Sequence, residues 1–550
     1  MKGRMSSLDP PDSNDPDYRT PGPSNPTDPP GTGARGANKW LIAFVVVFGT
    51  FLAVMDISVV NVAMPHMIGT FSVTLSAITW VATSYSIAEM IMATMAGWLS
   101  TVFGRKHLYL GSFALFTIGS VLAGLSRTFT HMLIFRIIQG VGGGSLIPIS
   151  QAILRETFPP EEQGVAMAIY GMGVVLAPGV GVILSGWITD NYGWPWIFFI
   201  NVPVAIFGIF MVKTFLQDPP YLQRGVQRID WWGIVLLGCG LTGLQVVLER
   251  GQEENWFESS WIVFGTVATI LALVAFIVRE YRAREPVVNL SLLRNIPLSV
   301  GSGMGLVFGI TLYGTTFLLP ELLQQLMGYP AFQTGLVLLP RAISLLIMMP
   351  VAGWLYNKVD SRVLIGIGMI IIYISYDRLA HLSTAVGTWN LIPLLMLMGI
   401  GMPFMFVTVS TVALSTVPKR DMTSASSLYT LTRRIGGNIG YALLATVIAR
   451  REQFHRARLV GNLNPYNQAY AAFRSAVTSR LLAAGVPPAT VPRMATAMAQ
   501  RVLNQQSTMM AYNDASWILG LMFLLAFPLL YLLPGRKAIQ QAAVKAANQD

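Results

Sequence analysis

Charge is scarce in this chain. Only 11% of its residues are Asp, Glu, Lys or Arg, against about a quarter in soluble globular domains. That shortage excludes a water-exposed surface over most of the molecule. Cysteine is nearly absent. Cys239 stands alone inside an apolar run, so neither an intramolecular disulfide nor a cysteine metal cluster can form. No Walker A pattern occurs, which argues against direct drive by ATP. Gly140, Gly142, Gly143 and Gly144 are clustered, but no Lys-Ser or Lys-Thr follows them and no strand precedes them. In a membrane helix such residues let neighbours approach closely. No nucleophile–base pair and no metal-ligand spacing stands out. An enzyme is therefore the least supported reading, and no cofactor or metal is expected.

What the chain has in abundance is apolar sequence, 53% of the whole. It comes in runs of about 20 residues, the length a helix needs to cross a bilayer core of about 30 Å. Fourteen spans are expected, roughly at 40–64, 77–99, 108–126, 131–154, 164–188, 196–215, 231–248, 260–279, 298–319, 334–356, 362–378, 390–416, 425–449 and 514–533. The fold class is thus all-α integral membrane. Residues 1–38 are rich in Pro, Gly, Asp and Ser and read as a disordered cytoplasmic tail. The first apolar run is too long for a signal peptide.

The net charge of +11 would suggest nucleic acid in a soluble protein, but here the cations sit mainly in short loops. Arg105, Lys106, Lys213, Arg224, Arg228, the stretch Arg279 to Arg294, Lys358, Arg362, Lys419 and Arg420 share one side, with Lys39, Arg536 and Lys537. The opposite short loops hold little beyond Arg127 and Arg250. Both termini are therefore expected in the cytoplasm.

The chain also repeats itself. Gly140-Val141-Gly142 through Thr157-Phe158-Pro159 matches Gly399-Ile400-Gly401 through Thr416-Val417-Pro418 at a constant offset. Gly97-Trp98-Leu99 before Arg105 is echoed by Gly353-Trp354-Leu355 before Arg362. Two parallel six-helix halves follow, with two helices left over between them. The expected domains are a bundle over 39–215, two linker helices within 216–285, a second bundle over 286–533 and a cytoplasmic tail over 534–550. A long periplasmic loop, 450–513, interrupts the second bundle and contains amphipathic segments near 468–484 and 488–510.

Five motifs in order resemble the major facilitator superfamily, and in detail its fourteen-helix drug:proton antiporter branch of the EmrB/QacA type. They are Met55-Asp56 through Asn61 to Pro65, Gly97 through Gly104-Arg105-Lys106, Arg136 through Gln139-Gly140-Val141-Gly142, Gly173 through Ala177-Pro178 to Gly181, and Trp196 through Asn201 to Pro203. The likeness covers nearly everything after the N-terminal tail. It implies a major facilitator fold, a bacterial inner-membrane location, and export of small amphipathic organic compounds in exchange for protons. Within the branch, the loop around Arg451 to Asn467 is similar to EmrB-type multidrug export subunits, which implies a periplasmic membrane-fusion adaptor and an outer-membrane channel as partners. The chain departs from the pattern at Thr101, where the superfamily usually carries an aspartate. It has Ala177-Pro178 where much of the superfamily has Gly-Pro.

A charge at membrane depth costs about 2.5–3.5 kcal/mol on insertion scales and marks function by default. Asp56, Glu89, Arg136, Arg341, Arg433 and Arg434 are the candidates. Asp56 and Arg136 lie at similar depth, so the pair either fixes two helices in register or takes up and releases a proton. The resemblance weights the second reading. Glu89 lies among Ile, Met and Ala, where burial favours a neutral carboxyl if nothing pairs with it, or it faces a wet cavity and bonds a neighbour. Thr432-Arg433 matches the branch; Arg434 is an addition that either lines the cavity or snorkels to the cytoplasmic side. Arg341 follows Pro340 and matches the branch's Leu-Pro-Arg pattern. Gln139, Gln324 and Asn438 are expected to orient a ligand, with Arg433, Tyr85 and Tyr429 beside them. Gly97, Gly104, Arg105, Gly173, Pro178, Gly181 and Arg341 are expected to serve the conformational change. Four deep arginines against two carboxylates favour neutral or anionic amphiphiles. A dedicated exporter of a siderophore or aromatic acid, and a proton-coupled importer, remain as alternatives.

Overall fold

The computed structural model describes residues 38–218, 229–283 and 285–535. The expected N-terminal tail, most of the C-terminal one, and the loop cations Arg224, Arg228, Arg536 and Lys537 lie outside these residues.

Among the described residues every regular element is helical. The first half contains α1 (Lys39–Phe71), α2 (Trp80–Phe103), α3 (Arg105–Gly124), α4 (Phe129–Thr157), α5 (Gln163–Tyr192) and α6 (Asn201–Phe215). Two linker helices follow, α7 (Trp231–Arg250) and α8 (Ser260–Arg282). The second half holds α9 (Ile296–Glu321), α10 (Ala331–Tyr356), α11 (Ser361–Leu379), α12 (Thr388–Ala413) and α13 (Met422–Val460). It ends with α14 (Gln468–Ala483) and α15 (Val491–Ala526). Polar residues start several of these helices. Thr128 and Asn295 each accept a backbone N–H of the first turn, which the helix itself leaves unpaired.

Among the described residues, twelve segments are long and apolar enough to cross a membrane. The two other expected spans are also helical, as α11 and the first part of α13, and carry more charge: Arg362, Asp377 and Arg378 in one, Arg433 and Arg434 in the other.

The two halves repeat the same packing. In the first, α1 packs on α5, α2 on α4, and α3 on both α4 and α6. In the second, α9 packs on α13, α10 on α12, and α11 on both α12 and α15. Helices α2 and α13 meet across the halves, as do α5 and α10. Helix α7 lies against both α2 and α13, whereas α8 is largely uncovered.

The stretch 450–513 is not a loop in the ordinary sense. Helix α13 runs on to Val460, α14 forms a short hairpin, and α15 begins at Val491 rather than near 514. The sequence explains this. No proline or glycine interrupts 451–460, and the turns fall where Gly461, Pro465, Gly485, Pro487 and Pro488 stand, Gly485 at φ 79°. Arg451 and His455 both reach Asp514, at 2.5 and 2.6 Å, and tie the two long helices together.

At the face carrying the basic turns, the halves are closed on each other. Arg105 pairs with Glu156 and donates to the Lys419 carbonyl at 3.3 Å. Ser426 donates to Gln151 at 2.9 Å. Gly97 abuts Ser424, and a Cβ on Gly353 would stand 2.6 Å from the Gly164 carbonyl oxygen. Overpacking such a contact costs about 1–3 kcal/mol. Gly353→Val should therefore lower the closed population about tenfold, read as the cross-linking yield between cysteines placed at 151 and 426 in a Cys239→Ala background.

Candidate functional site

Asp56 is the centre of a sealed polar hub inside the first half. An isolated carboxylate cannot stay in an apolar core, so every donor around it counts. Arg136 of α4 donates to its Oδ2 at 2.6 Å. Gln139, one turn further on, donates to Oδ1 at 2.8 Å, and so does Asn201 at the start of α6. Gln139 and Asn201 both also donate to the Ser120 hydroxyl of α3, at 2.8 and 3.2 Å. Arg136 is held from three further directions. Its Nε donates to the Val81 carbonyl at 3.0 Å, its Nη1 to Gln139 at 2.7 Å, and its guanidinium lies 4.2 Å over the Tyr85 ring. Asp56, Arg136, Gln139 and Asn201 are all fully buried.

The glycines of α4 make this closeness possible. A Cβ on Gly140 would meet the Tyr85 carbonyl at 2.5 Å, and one on Gly144 the Glu89 carbonyl at 2.5 Å. The expected packing role of this cluster is what the structure shows. On the other side of Asp56, α5 lies along α1: Gly173 abuts Val47, Gly181 meets Met55 and Val59, and Ser185 donates to the Val59 carbonyl at 2.6 Å. Pro178, inside α5, stands between those two glycines. The motif of α5 thus touches the helix turn that carries Asp56.

A second pair crosses between the halves. Glu89 of α2 is fully buried and bonded by both guanidinium nitrogens of Arg434, at 2.7 and 2.5 Å. The snorkelling reading of Arg434 is corrected by this geometry. Gly436 and Gly440 press the Leu306 and Ile310 carbonyls of α9, which turns the Arg434 side of α13 toward α2. Arg433, the next residue, points elsewhere. It lies 5.4 Å over the Phe406 ring, which stacks with Tyr170 of the first half at 6.2 Å and packs on Phe308 at 5.7 Å. Tyr429 is buried one turn earlier, against Gly305. Arg433 makes no ion pair among the described residues, so an aromatic layer built from both halves carries an unneutralised cation.

Other expected ligand-facing residues are placed differently. Gln139 and Tyr85 are consumed by the Asp56 hub, because a buried amide or cation takes the nearest partner available. Gln324 is exposed, in a π-turn at Leu322–Leu326 that rotates it outward. Asn438 bonds Gln245 of α7. Arg341, expected to serve the conformational change, donates to the Met402 sulfur at 3.4 Å. Gly104 has φ 80°, a value that suits glycine and sets the turn into α3. Thr101 bonds its own helix at Trp98, and Arg105 finds its charge partner in Glu156 instead. Ser120, and the role of Asn201, escaped the sequence reading. The usable signal was a side-chain amide opening an apolar helix, since polar groups in lipid need partners.

Residues 46–441 match the family described as Major Facilitator Superfamily. Over 440 residues the chain is 34% identical to the multidrug export protein EmrB of Haemophilus influenzae, covering 80% of this chain and 86% of that protein. To EmrB of Escherichia coli it is 32% identical over 503 residues, 90% of this chain and 96% of the relative. The fatty acid resistance protein FarB of Neisseria gonorrhoeae is 31% identical, over 79% and 85% of the two chains. Among solved structures, the proton:xylose symporter XylE superposes with a TM-score of 0.59 at 15% identity, over 92% of this chain and 98% of XylE. That likeness concerns the fold.

Proposed function

The chain belongs to the Major Facilitator Superfamily, and from that premise we propose that it is a proton-coupled antiporter of the bacterial inner membrane. It exports small amphipathic organic compounds from the cytoplasm or inner leaflet by alternating access, with both termini and the basic turns in the cytoplasm. The observation that carries this reading is the pair of buried carboxylate–arginine contacts, one inside the first half and one across the halves. A proton on either carboxylate removes half of an ion pair in low dielectric, which changes the relative stability of the two arrangements of the halves. Asp56 acts through α5, which lies on α1 and reaches α10 through Gly164. Glu89 acts directly at the α2–α13 seam.

The substrate class follows from Arg433. An unneutralised guanidinium over an aromatic layer suits a ligand with an anionic end and an apolar body. The names of the relatives, multidrug export and fatty acid resistance, agree with amphiphiles of that kind. Helices α14 and the outer parts of α13 and α15 form a protrusion that we assign to docking the periplasmic adaptor, with an outer-membrane channel beyond it.

The test is flux in proteoliposomes under an imposed pH gradient. Anilinonaphthalene sulfonate is a suitable probe, since a sulfonate does not itself carry protons across lipid. Proton influx should drive its export. A chain that moved only dicationic dyes would refute the anion assignment, and uptake in the direction of proton flow would make it an importer. Replacing residues 461–490 by a Gly/Ser linker should spare vesicle transport and remove resistance in cells.

A further inference from the structure

The two linker helices have no counterpart in the six-helix repeat, yet α7 is wedged between the halves. Its docking is polar and specific. Thr83 of α2 donates to Glu249 Oε1 at 2.5 Å. Gln245, one turn earlier on α7, donates to Glu249 Oε2 at 3.3 Å, and Asn438 of α13 donates to Gln245 Oε1. One carboxylate is thus bonded directly to the first half and, through a single amide, to the second. Just beyond it, Arg250 holds the Ser76 carbonyl at 2.7 Å and Thr79 at 3.0 Å, while Trp256 donates to Thr446 of α13 at 2.9 Å.

The position of Glu249 relative to the inter-half ion pair is fixed by helix geometry. Thr83 precedes Glu89 by six residues on α2, and Asn438 follows Arg434 by four on α13. At about 1.5 Å per residue, the α7 contacts lie about 9 Å and about 6 Å further toward the face opposite the basic turns. Glu249 therefore stands between that face and Glu89, on the seam that Glu89 and Arg434 close.

Its partners are what distinguish it from Asp56 and Glu89. Both of those are clamped by arginine. Among the described residues Glu249 is bonded only by a hydroxyl and an amide, so a proton can be added without breaking an ion pair. The charged and titratable groups nearest it are Arg250 and Glu253 on its own hairpin and Tyr441 on α13, with the Glu89–Arg434 pair further along the seam. Arg250 is turned away, onto Ser76, Thr79 and Glu253. The charges of α8, Arg279, Glu280 and Arg282, are at its opposite end.

We propose that Glu249 is a third proton-exchange carboxylate of the transport cycle, the one through which the outer aqueous phase communicates with the Glu89–Arg434 pair. This rests on the proton-coupled reading above. One proton passes from outer water to a Glu249 carboxylate oxygen and, relayed by water admitted as the seam opens, to a Glu89 oxygen as the Arg434 N–H donors release it. Only O–H bonds form and break, and the return path reverses the order. The linker helix then has a task that the twelve helices of the repeat do not supply.

The experiment uses the full-length protein in proteoliposomes, with anilinonaphthalene sulfonate flux recorded while the pH on the outer face is varied. Glu249→Gln keeps the acceptor that Thr83 needs and removes the proton site. It should lose about tenfold or more in rate and flatten the dependence on outer pH, with probe affinity retained. Glu249→Asp should restore both in part. An unchanged pH profile in Glu249→Gln overturns the proposal. So does an equal loss in Thr83→Ala or Gln245→Ala with the same flattening, because that outcome makes α7 a clamp. Absence of any proton-driven flux in the wild type would instead overturn the antiporter reading itself.

Discussion

Arg136→Ala is expected to abolish proton-driven transport and to destabilise the first half by about 3–5 kcal/mol, the usual cost of removing one partner from a buried pair. The size follows from the surroundings. Asp56 and Arg136 are fully buried. Gln139 and Asn201 remain as neutral donors to Asp56, whose charge is left without a cation in the buried core. The double variant Asp56→Asn with Arg136→Gln removes both charges and keeps approximate shape. It should recover most of the stability, read by thermal unfolding in detergent, and none of the coupling, read by flux under a pH gradient. Recovery of transport in the double variant would reduce the pair to a structural tie between α1 and α4.

Much of this site is legible in the amino-acid sequence alone. Asp56, Glu89 and Arg136 stand out because charge is so scarce that each deep one must have a reason. The pairing of Asp56 with Arg136 followed from equal depth on two spans. The repeat of Gly97-Trp98-Leu99 at Gly353-Trp354-Leu355 foretold that both segments hold equivalent positions, and both do lie at the closed face, against Ser424 and Gly164.

What stayed hidden depends on rotation about helix axes, which periodicity cannot fix in a helix that is apolar all round. Arg433 and Arg434 are adjacent in sequence and about 100° apart on α13, so one meets the aromatic layer and the other meets Glu89. The close contacts of Gly436, Gly437 and Gly440 with α9 set which is which. The facing of Gln324 was hidden for a related reason: a π-turn adds a residue to the helical turn and shifts the face that follows. The linker helices gave no periodic signal of docking, because the polar residues that dock α7, Gln245 and Glu249, lie one turn apart near its end and look like a helix terminus.

Glu89→Gln is expected to remove the proton signal that substrate produces in the purified protein, measured as release or uptake in weakly buffered detergent solution. The wild type should exchange protons when anilinonaphthalene sulfonate is added. The Gln variant should bind the probe within about tenfold of wild type, since Arg433 and Phe406 are untouched. The reasoning is electrostatic. Arg434 is mostly buried and holds α2 against α13 through two charge-assisted bonds, each worth more than a neutral one. With glutamine the bidentate geometry is lost, and an unpaired guanidinium is left at the seam, favouring the arrangement in which it reaches water. Arg434→Gln reports the same linkage from the other side: Glu89 loses its cation, the seam holds no ion pair for a proton to break, and flux becomes insensitive to the pH gradient. A proton signal that survives in Glu89→Gln but vanishes in Asp56→Asn would place coupling wholly in the first half. The Glu89–Arg434 contact would then be a latch that the substrate opens without help from the proton.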